Sequence, residues 1–281
     1  MKKKIFAALC AVMMAVGLTA CGGAADTQVQ SSGEDAPAAK TIDISGVKLM
    51  SDGVLSVGCE VGYPPFEDFA EDGTTPIGYD IDIITAVADK LGLKVNIINT
   101  AWDGIFAGIG VNYDVTCSAV TITPERQETM LFSDPYINNY QAVVLLADDD
   151  RKVESFNDLD GLSIALQKET TSDILMSDYK STGTIDLQIV ANEKVTSCFT
   201  QLQNGEVDAV VVDSTVADGY INSSDAFKIV YEDKSEPEQF GIAMSPENEA
   251  LQKAINEALS ELQAEGFIQE TYDYWFGTAK E

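Results

Sequence analysis

The sequence predicts an α/β fold built mainly on parallel sheets. Short apolar runs rich in β-branched residues alternate along the chain with segments of helical periodicity. Residues 54–57 should form a strand, residues 82–91 an amphipathic helix that stops at Gly92, and residues 95–98 the next strand. This alternation is typical of parallel strands joined by crossover helices.

A short pattern occurs twice and is compatible with two related halves. Gly110 is followed by an apolar–aspartate pair ending at Asp114 and then by a strand, and Gly205 is followed in the same way by Asp208 and a strand over residues 209–212. The repeat is too short to establish two lobes by itself. Ligands of open α/β sheets collect at the carboxyl ends of strands, so polar residues at those ends are candidates for a site.

The N-terminus has the three parts of a secretory signal over residues 1–20. Three lysines at positions 2–4 precede a 13-residue apolar core at 5–17, and the sequence LTAC then ends at Cys21. The apolar core is shorter than the roughly 20 residues that span a bilayer. The segment is similar to the signals of bacterial lipoproteins, which implies lipid attachment to Cys21 and an anchor on the extracellular face of the cell membrane. A plain signal peptide cleaved elsewhere is the alternative.

Residues 21–40 are expected to form a flexible tether. They are rich in Gly, Ala, Ser, Asp and Gln and contain almost no large apolar side chains. A flexible chain of this length would typically hold the folded part about 25 Å from its anchor.

The composition excludes several classes of function. The net charge is −29, and removal of residues 1–20, which contain three lysines and no acids, makes it −32. Such a chain should be repelled by nucleic acid. It contains no histidine, which removes Ser-His-Asp and Cys-His catalysis, and its cysteines lack the CxxC spacing of metal sites. We therefore expect no metal, no cofactor and no enzyme activity.

Three cysteines remain after the signal and Cys21 are set aside: Cys59, Cys117 and Cys198. Cys59 and Cys117 each lie in an apolar run that resembles a strand, where a small buried thiol is common. A disulfide between these two cysteines stays open as an alternative.

The segment SAVTITPERQETMLFSDPY, at residues 118–136, contains one of only two arginines beside several hydroxyl groups. Arg126 offers a planar fork of donors that binds a carboxylate bidentately, and Ser118 and Thr121 could add neutral donors. Thr123 followed by Pro124 predicts a helix start whose free backbone N–H groups would suit an anion. The pattern indicates a carboxylate receptor, and an ordinary helix cap beside a surface arginine is the alternative.

Six segments occur in an order known from one protein family. They are VGCEVGYPPFE, PIGYDIDIITAVADKLGL, AWDGIFAGI, YDVTCSAVTITPERQETMLFSDPY, IALQKETTSDIL and NGEVDAVVVDSTVA. Over about residues 54–277 the chain resembles the extracellular solute-binding proteins (family 3) of polar amino-acid ABC transporters. The resemblance implies a type II periplasmic-binding-protein fold, with two α/β lobes joined by a two-strand hinge around a ligand cleft. It also implies a first lobe at 50–142 plus 237–281 and a second at 143–236, with hinge strands within 141–145 and 236–242.

The resemblance also implies how an amino acid would be held. Arg126 would bind the α-carboxylate and Asp213 the α-ammonium. Hydroxyl and backbone groups of Ser118, Ala119, Thr121, Thr170, Thr171 and Ser172 would complete this part of the site. Two positions depart from the family's pattern: Glu169 stands where glycine is common, and Ala119 stands where Gly or Ser is common, so that only its backbone N–H can be carried over.

Aromatic walls and one acid complete the expected pocket. Tyr63, Phe66 and Trp102 correspond to the family's pocket aromatics, although each could instead be part of the core. Glu60 stands where similar proteins place a residue that reads the ligand side chain, and a carboxylate there favours basic ligands. Glu60 could equally face solvent.

The expected function follows from the resemblance. The protein would be a monomer that captures a free amino acid, basic or polar, and delivers it to the permease subunits of an ABC importer. The chain itself has no Walker A sequence. A sensor that delivers its ligand to a receptor and a cyclohexadienyl-dehydratase-like enzyme on the same fold remain as alternatives.

Overall fold

The computed structural model describes residues 42–277, which contain two five-stranded sheets. The strands are β1 (Val54–Cys59), β2 (Asp68–Phe69), β3 (Pro76–Ile77), β4 (Lys94–Asn99), β5 (Val115–Thr116), β6 (Leu131–Phe132), β7 (Ile137–Asn139), β8 (Gln141–Leu146), β9 (Ser163–Gln167), β10 (Gln188–Asn192), β11 (Ala209–Asp213), β12 (Phe227–Glu232), β13 (Glu238–Phe240) and β14 (Ala243–Met244). The helices are α1 (Tyr79–Lys90), α2 (Pro124–Gln127), α3 (Thr171–Ser181), α4 (Val195–Gln203), α5 (Ser214–Ser223), α6 (Glu249–Ala264) and α7 (Phe267–Phe276).

The first sheet has the strand order β4-β1-β5-β14-β6 and forms the core of lobe 1. β1 is parallel to β4 and β5, whereas β14 returns from the C-terminal part of the chain and is antiparallel to β5 and β6. α1 and α6 pack on this sheet. The predicted helix at 82–91 begins three residues earlier, at Tyr79, because Gly78 enters the first turn in a conformation with φ 142°.

The second sheet has the order β10-β9-β11-β8-β12 and forms the core of lobe 2. β9 is parallel to β10 and β11, and β8 is antiparallel to β11 and β12. α3, α4 and α5 pack on this sheet. The predicted α/β class with two lobes is therefore confirmed.

The repeated glycine and aspartate pattern marks the same position in both lobes. Asp114 accepts hydrogen bonds from the backbone N–H and the hydroxyl of Ser56 in β1. Asp208 accepts the same two bonds from Ser163 in β9, at 2.9 and 2.7 Å. Each aspartate thus ties the entry of one strand to its parallel neighbour, so the sequence repeat reflects a repeated structural unit.

The two lobes are connected through a small antiparallel sheet of β7 and β13. The predicted hinge range 236–242 contains β13, whereas residues 141–145 of the other predicted range lie in β8. Gln141 begins β8, and its neighbour Ala142 pairs with Val212 on one side and Glu232 on the other, inside the second sheet. The first crossing therefore lies at β7, before the boundary expected at residue 142. Apolar patterning alone could not separate β7 from β8, because only one residue divides them.

The three cysteines of the described chain are buried and free. Cys59 and Cys117 do not form the disulfide left open above, and burial raises the pKa of both thiols well above the ordinary value. No helix among residues 42–277 is both long and apolar enough to cross a bilayer. The predicted signal, the lipidated Cys21 and the tether lie outside the described residues.

Candidate functional site

A small cavity lies between the two lobes, next to the carboxyl ends of β1, β9 and β11. Residues of both lobes line it: Glu60, Tyr63, Glu67, Trp102, Ser118, Ala119, Thr121 and Arg126 from lobe 1, and Gln167, Thr170, Thr171 and Asp213 from lobe 2. Ten of these twelve were predicted. Glu67 and Gln167 were not.

Arg126 is held on the lobe 1 side by three contacts. Its Nη1 donates to the Thr121 carbonyl at 2.9 Å, and its guanidinium carbon lies 5.6 Å from the ring centre of Trp102 and 5.0 Å from that of Phe106. Burial lowers the pKa of Arg126, and the carboxylates of Glu238 and Asp213 oppose that effect. These contacts fix the guanidinium plane while leaving most of its five N–H groups available.

The helix that Thr123 and Pro124 were expected to start is a single turn. The Thr123 hydroxyl accepts the backbone N–H of Arg126 at 3.2 Å, so the predicted cap is confirmed. The turn ends at Gln127, and the predicted anion site on its backbone is not supported, because the cap and the turn itself use the N–H groups of Arg126 and Gln127. Arg126 itself remains the candidate for anion binding in this segment.

Asp213 lies at the end of β11 on the opposite lobe and is 6% exposed. It accepts hydrogen bonds from the Tyr63 hydroxyl at 2.5 Å, from Asn139 at 2.6 Å and from Gln141 at 3.0 Å. A carboxylate offers about four acceptor positions, so these three donors leave about one for a ligand. Burial raises the pKa of Asp213 to about 7, and the negative charge of Glu238 adds to the rise.

The N-terminus of α3 faces the cavity from lobe 2. Thr170 is its N-cap and accepts the N–H of Asp173, while its own hydroxyl donates to the Gln167 carbonyl at 2.7 Å. Thr171 lines the cavity as the first helical residue. The start of an eleven-residue helix favours negative charge, which suits a carboxylate placed between this helix and Arg126.

The two positions that depart from the family's glycine pattern have unusual backbones. Ala119 has φ 47° and Glu169 has φ 60°, in the left-handed region that favours glycine. The backbone N–H of Ala119, which was expected to serve a ligand, donates to buried Asp80 at 2.6 Å in this conformation. The Glu169 carbonyl accepts the indole N–H of Trp102 at 3.2 Å, which links the lobes.

Glu60 lines the cavity and is only 3% exposed. Its Oε2 accepts a hydrogen bond from Gln167 at 2.7 Å, and its Oε1 lies 3.9 Å from Lys194. Burial raises the pKa of Glu60, and the Gln167 hydrogen bond and the Lys194 charge counter this rise. The solvent-facing alternative for Glu60 is therefore excluded.

Glu67 is completely buried beside Glu60. Its Oε1 accepts a hydrogen bond from Ser118 at 2.6 Å, whereas its Oε2 has no hydrogen-bond partner in the described chain. Burial raises the pKa of Glu67 well above the ordinary value, and the negative charges of Asp80 and Glu60 add to the rise. Gln167 carries a second such atom, because its Oε1 is also buried without a partner.

Several side chains of one lobe bond to the other, so the protein is in a closed state. Lys194 of lobe 2 donates to the Val61 carbonyl of lobe 1 at 3.3 Å, and Lys168 pairs with Asp103 at 3.2 Å. The bonds from Tyr63 to Asp213 and from Gln167 to Glu60 cross the same gap. Closure therefore buries the charged groups of the cavity.

Two of the predicted ligand residues lie behind the cavity wall. Phe66 is fully buried in an aromatic cluster with Tyr79, Phe240 and Phe276, with ring centres 5.3 to 5.9 Å apart. The Ser172 hydroxyl donates to Gln141 at 2.6 Å. Phe66 is thus a core residue and Ser172 supports the hinge-side network, and neither lines the cavity.

The residues that sequence reasoning missed had weak or ambiguous signals. Glu67 is the last letter of the motif YPPFE, and Gln167 closes the apolar run of β9, so both could have been noted as polar residues at strand or loop ends. Asn139, Gln141 and Glu238 have no motif signal, because they come together only where the two crossing strands meet.

Comparisons with known proteins agree with this geometry. The family model for bacterial extracellular solute-binding proteins, family 3, matches residues 55–278. The chain is 30% identical over 227 residues to the ABC transporter arginine-binding protein 1 of Escherichia coli (strain K12), covering 79% of this chain and 90% of the relative. It is 30% identical over 279 residues to the L-cystine-binding protein TcyA of Bacillus subtilis (strain 168), covering 98% of each chain.

A crystal structure has the same fold. The P235GK mutant of ArgBP from T. maritima superposes with a TM-score of 0.74 at 34% identity, covering 80% of this chain and 95% of that one.

Proposed function

The chain belongs to the bacterial extracellular solute-binding proteins, family 3, and on that premise we propose that it captures a free amino acid with a basic or polar side chain and delivers it to the permease of an ABC importer. The observation that carries the proposal is the presence of Arg126 and Asp213 on opposite lobes of one cavity. An α-amino acid carries a carboxylate and an ammonium group on one carbon, and these two side chains match them in charge.

Binding and closure are coupled through this pair. The ligand carboxylate lies between Arg126 and the start of α3, and its ammonium group uses the remaining acceptor position of Asp213. In the closed protein both charged groups are withdrawn from water, which is costly unless a ligand supplies the opposite charges. The ligand therefore has its higher affinity for the closed state and shifts the hinge equilibrium toward it.

The test of this function is thermal unfolding of the purified protein after unfolding and refolding have removed any carried ligand. The L-amino acids, ornithine, cystine, short peptides and prephenate are added one at a time. A ligand at a hundred times its Kd should add about 2.7 kcal/mol to the free energy of unfolding. Stabilisation by amino acids supports the proposal, and absence of any amino-acid effect contradicts it.

Two alternatives have their own readouts. The dehydratase alternative requires formation of product from prephenate. The relatives reported above are instead named as binding proteins. A sensor would lack neighbouring genes for a permease and an ATPase. We propose the importer because the relative from Escherichia coli that matches most of this chain is named as part of an ABC transporter.

We further propose that Cys21 anchors the mature protein as a monomer on the extracellular face of the membrane. The sequence LTAC supports this proposal, as does the length of chain between Cys21 and the first described strand. Replacement of Cys21 by serine should prevent incorporation of labelled palmitate and release the protein from the membrane fraction. Unchanged labelling and membrane association would contradict the anchor.

The affinity for amino acids should depend on pH through Asp213. Its carboxyl group must be ionised to hold an ammonium group, and its pKa of about 7 predicts that the affinity rises as the pH increases from 6 to 8. The stability of the ligand-free closed protein should change in the opposite direction. The pKa of Asp213 in the folded protein lies above its value in the unfolded chain, so protonation of this group stabilises the fold. That stabilisation is lost as the pH rises through about 7.

The variant Asp213→Asn separates this effect from other titrations. It should weaken amino-acid binding at pH 8 by about 2 kcal/mol or more and reduce the pH dependence of Kd between pH 6 and 8. Isothermal titration calorimetry at three pH values measures both. A variant with the same pH slope as the native protein would show that Asp213 is not the titrating group.

A further inference from the structure

Resting on the proposed function, we propose that Gly219 is a positioning residue that sets how far the two lobes close on a ligand. The ring of Pro65, in lobe 1, packs on the bare backbone of α5, in lobe 2, at this glycine. A side chain at position 219 would hold the lobes apart and lower the affinity for every ligand of the cavity. The juxtaposition that carries this inference is a proline ring of one lobe seated on a helix glycine of the other.

The contact between Gly219 and Pro65 leaves no room for a side chain. A Cβ added to Gly219 would lie 2.7 Å from Cδ of Pro65 and 3.2 Å from its Cγ. Carbon atoms that are not bonded to each other pack at about 3.5 to 4.0 Å, so one side of the contact would have to move by about 1 Å. Cδ and Cγ belong to a closed ring, which cannot swing aside like the end of a flexible side chain.

Helix propensity does not account for a glycine at position 219. α5 runs from Ser214 to Ser223, so this position lies in the interior of the helix. Glycine is less favourable than alanine there, because it loses more backbone freedom on folding. Alanine would therefore suit α5 better by itself, which indicates that the contact with lobe 1 is the reason for the glycine.

The lobe 1 side of the contact is held in place. The Pro65 carbonyl accepts the backbone N–H of Tyr79, at the start of α1, at 3.0 Å. The next residue, Phe66, is fully buried, and its carbonyl accepts the backbone N–H of Asp80 at 3.0 Å. Pro65 therefore cannot retreat into lobe 1 without disrupting these bonds.

The lobe 2 side is also fixed. Val216 and Ala217 of α5 are fully buried, and Tyr220, the residue after Gly219, stacks on Phe199 with ring centres 3.5 Å apart. Because each side is fixed within its own lobe, the overlap is relieved most easily when the lobes rotate apart about β7 and β13.

The same loop and the same helix carry groups of the candidate site. Tyr63, two residues before Pro65, lines the cavity and donates to Asp213, which is the N-cap of α5. A change in the spacing between Pro65 and α5 would therefore change the spacing between the two halves of the site. A ligand between lobes that are held apart could not engage both Arg126 and Asp213.

The experiment compares the native protein with Gly219→Ala and Gly219→Val. Calorimetry measures Kd for each of L-arginine, L-histidine, L-glutamine and L-cystine that binds the native protein. We expect Gly219→Ala to raise Kd by at least about tenfold, by the same factor for each ligand, and Gly219→Val to raise it further.

Thermal unfolding without ligand separates positioning from ordinary packing. The Tm of ligand-free Gly219→Ala should be no lower than that of the native protein, because an open protein has no contact at position 219 and alanine favours the helix. A contact that only stabilised the fold would lower this Tm.

Two substitutions serve as controls. Asn222→Ala changes an exposed position of the same helix and should leave Kd unchanged. Gly108→Ala creates an overlap inside lobe 1, because a Cβ there would meet the ring of Tyr113. It should lower the Tm of the ligand-free protein, unlike Gly219→Ala.

The closed fraction can also be measured without a ligand. Trp102 is 8% exposed, and its indole N–H donates across the gap to the Glu169 carbonyl at 3.2 Å. Replacement of Trp275 by phenylalanine leaves Trp102 as the single tryptophan of the chain. In this background acrylamide should quench the fluorescence of Trp102 more strongly when Gly219 is replaced by alanine.

The possible failures can be told apart. An unchanged Kd in Gly219→Ala, or a raised Kd together with a lowered Tm of the ligand-free protein, contradicts the role of Gly219 while amino-acid binding stands. If no amino acid binds the native protein, the proposed function itself fails. The quenching of Trp102 then decides this inference, and equal quenching in the two proteins contradicts it.

Discussion

Replacement of Arg126 by alanine is expected to weaken every amino-acid ligand by about 2 to 5 kcal/mol, a loss of roughly 30-fold to several thousand-fold in affinity. The loss should not depend on the ligand side chain, because Arg126 is proposed to hold the carboxylate common to all of them. The measurement is calorimetric titration with two ligands of different side chain.

The physical reason is the setting of the guanidinium group. It is fixed by the Thr121 carbonyl and lies 5.0 Å from the centre of the Phe106 ring, with the cavity beside it. Removing it would leave a ligand carboxylate buried without a charged partner in the closed protein. Such truncation costs more than the loss of a surface ion pair, because the remaining charge has been withdrawn from water.

The chain offers a matched control in its second arginine. Arg151 pairs with Asp149 and Asp208 at the surface of lobe 2, so Arg151→Ala should leave Kd unchanged. The ligand-free Arg126→Ala protein should keep its fold, since burial already disfavours the charged arginine there. Binding within a factor of two of the native value would show that the carboxylate is held elsewhere.

Replacement of Gly78 by alanine is expected to destabilise the protein by about 3 to 5 kcal/mol and to lower Tm by roughly 10 °C. Gly78 has φ 142° and ψ 174°, a combination that is essentially restricted to glycine. An added Cβ would lie 2.0 Å from the Phe66 carbonyl oxygen and 2.8 Å from the Glu67 Cα. Neither backbone atom can move without disrupting the loop that carries Tyr63 and Glu67.

This substitution should also affect the site. The N–H groups of Tyr79 and Asp80, at the start of α1, donate to the carbonyls of Pro65 and Phe66 at 3.0 Å. Displacing that loop would therefore move Glu67 in the cavity and weaken ligand binding as well as stability.

Gly73→Ala is the matched control for the backbone effect. Gly73 has φ 69°, and a Cβ there would meet nothing within 4 Å. It should cost only the left-handed penalty of about 1 to 2 kcal/mol. Thermal unfolding of the two variants compares strain with and without a clash, and an equal loss of Tm in both would show that close packing at Gly78 does not matter.

Much of the fold and of the site could be predicted from the sequence because the signals are local. The helix α1, the strands β1 and β4 and the Thr123 cap follow from periodicity and from residue types within a few positions. Arg126 stands out because it is one of only two arginines and lies beside several hydroxyl groups, and Asp213 because the family resemblance implies an acid at the end of its strand. The family motifs added which charge faces which part of an amino acid.

Other predictions failed where a residue's role depends on distant partners. Phe66 and Trp102 look alike in the sequence, yet Phe66 packs among Tyr79, Phe240 and Phe276 while Trp102 reaches the cavity. The backbone N–H of Ala119 donates to Asp80, 39 positions away, a partner that local pattern does not reveal.

The sequence by itself determined the α/β class, the family and the charged pair that suits an amino-acid head group, because these depend on local pattern and residue chemistry. Only the tertiary structure decided the position of the first hinge strand and the different partners of Glu60 and Glu67. Glu60 and Glu67 are indistinguishable as letters. They differ because closure brings Gln167 and Lys194 of lobe 2 to Glu60, whereas Glu67 is left against Asp80 with one oxygen unpaired.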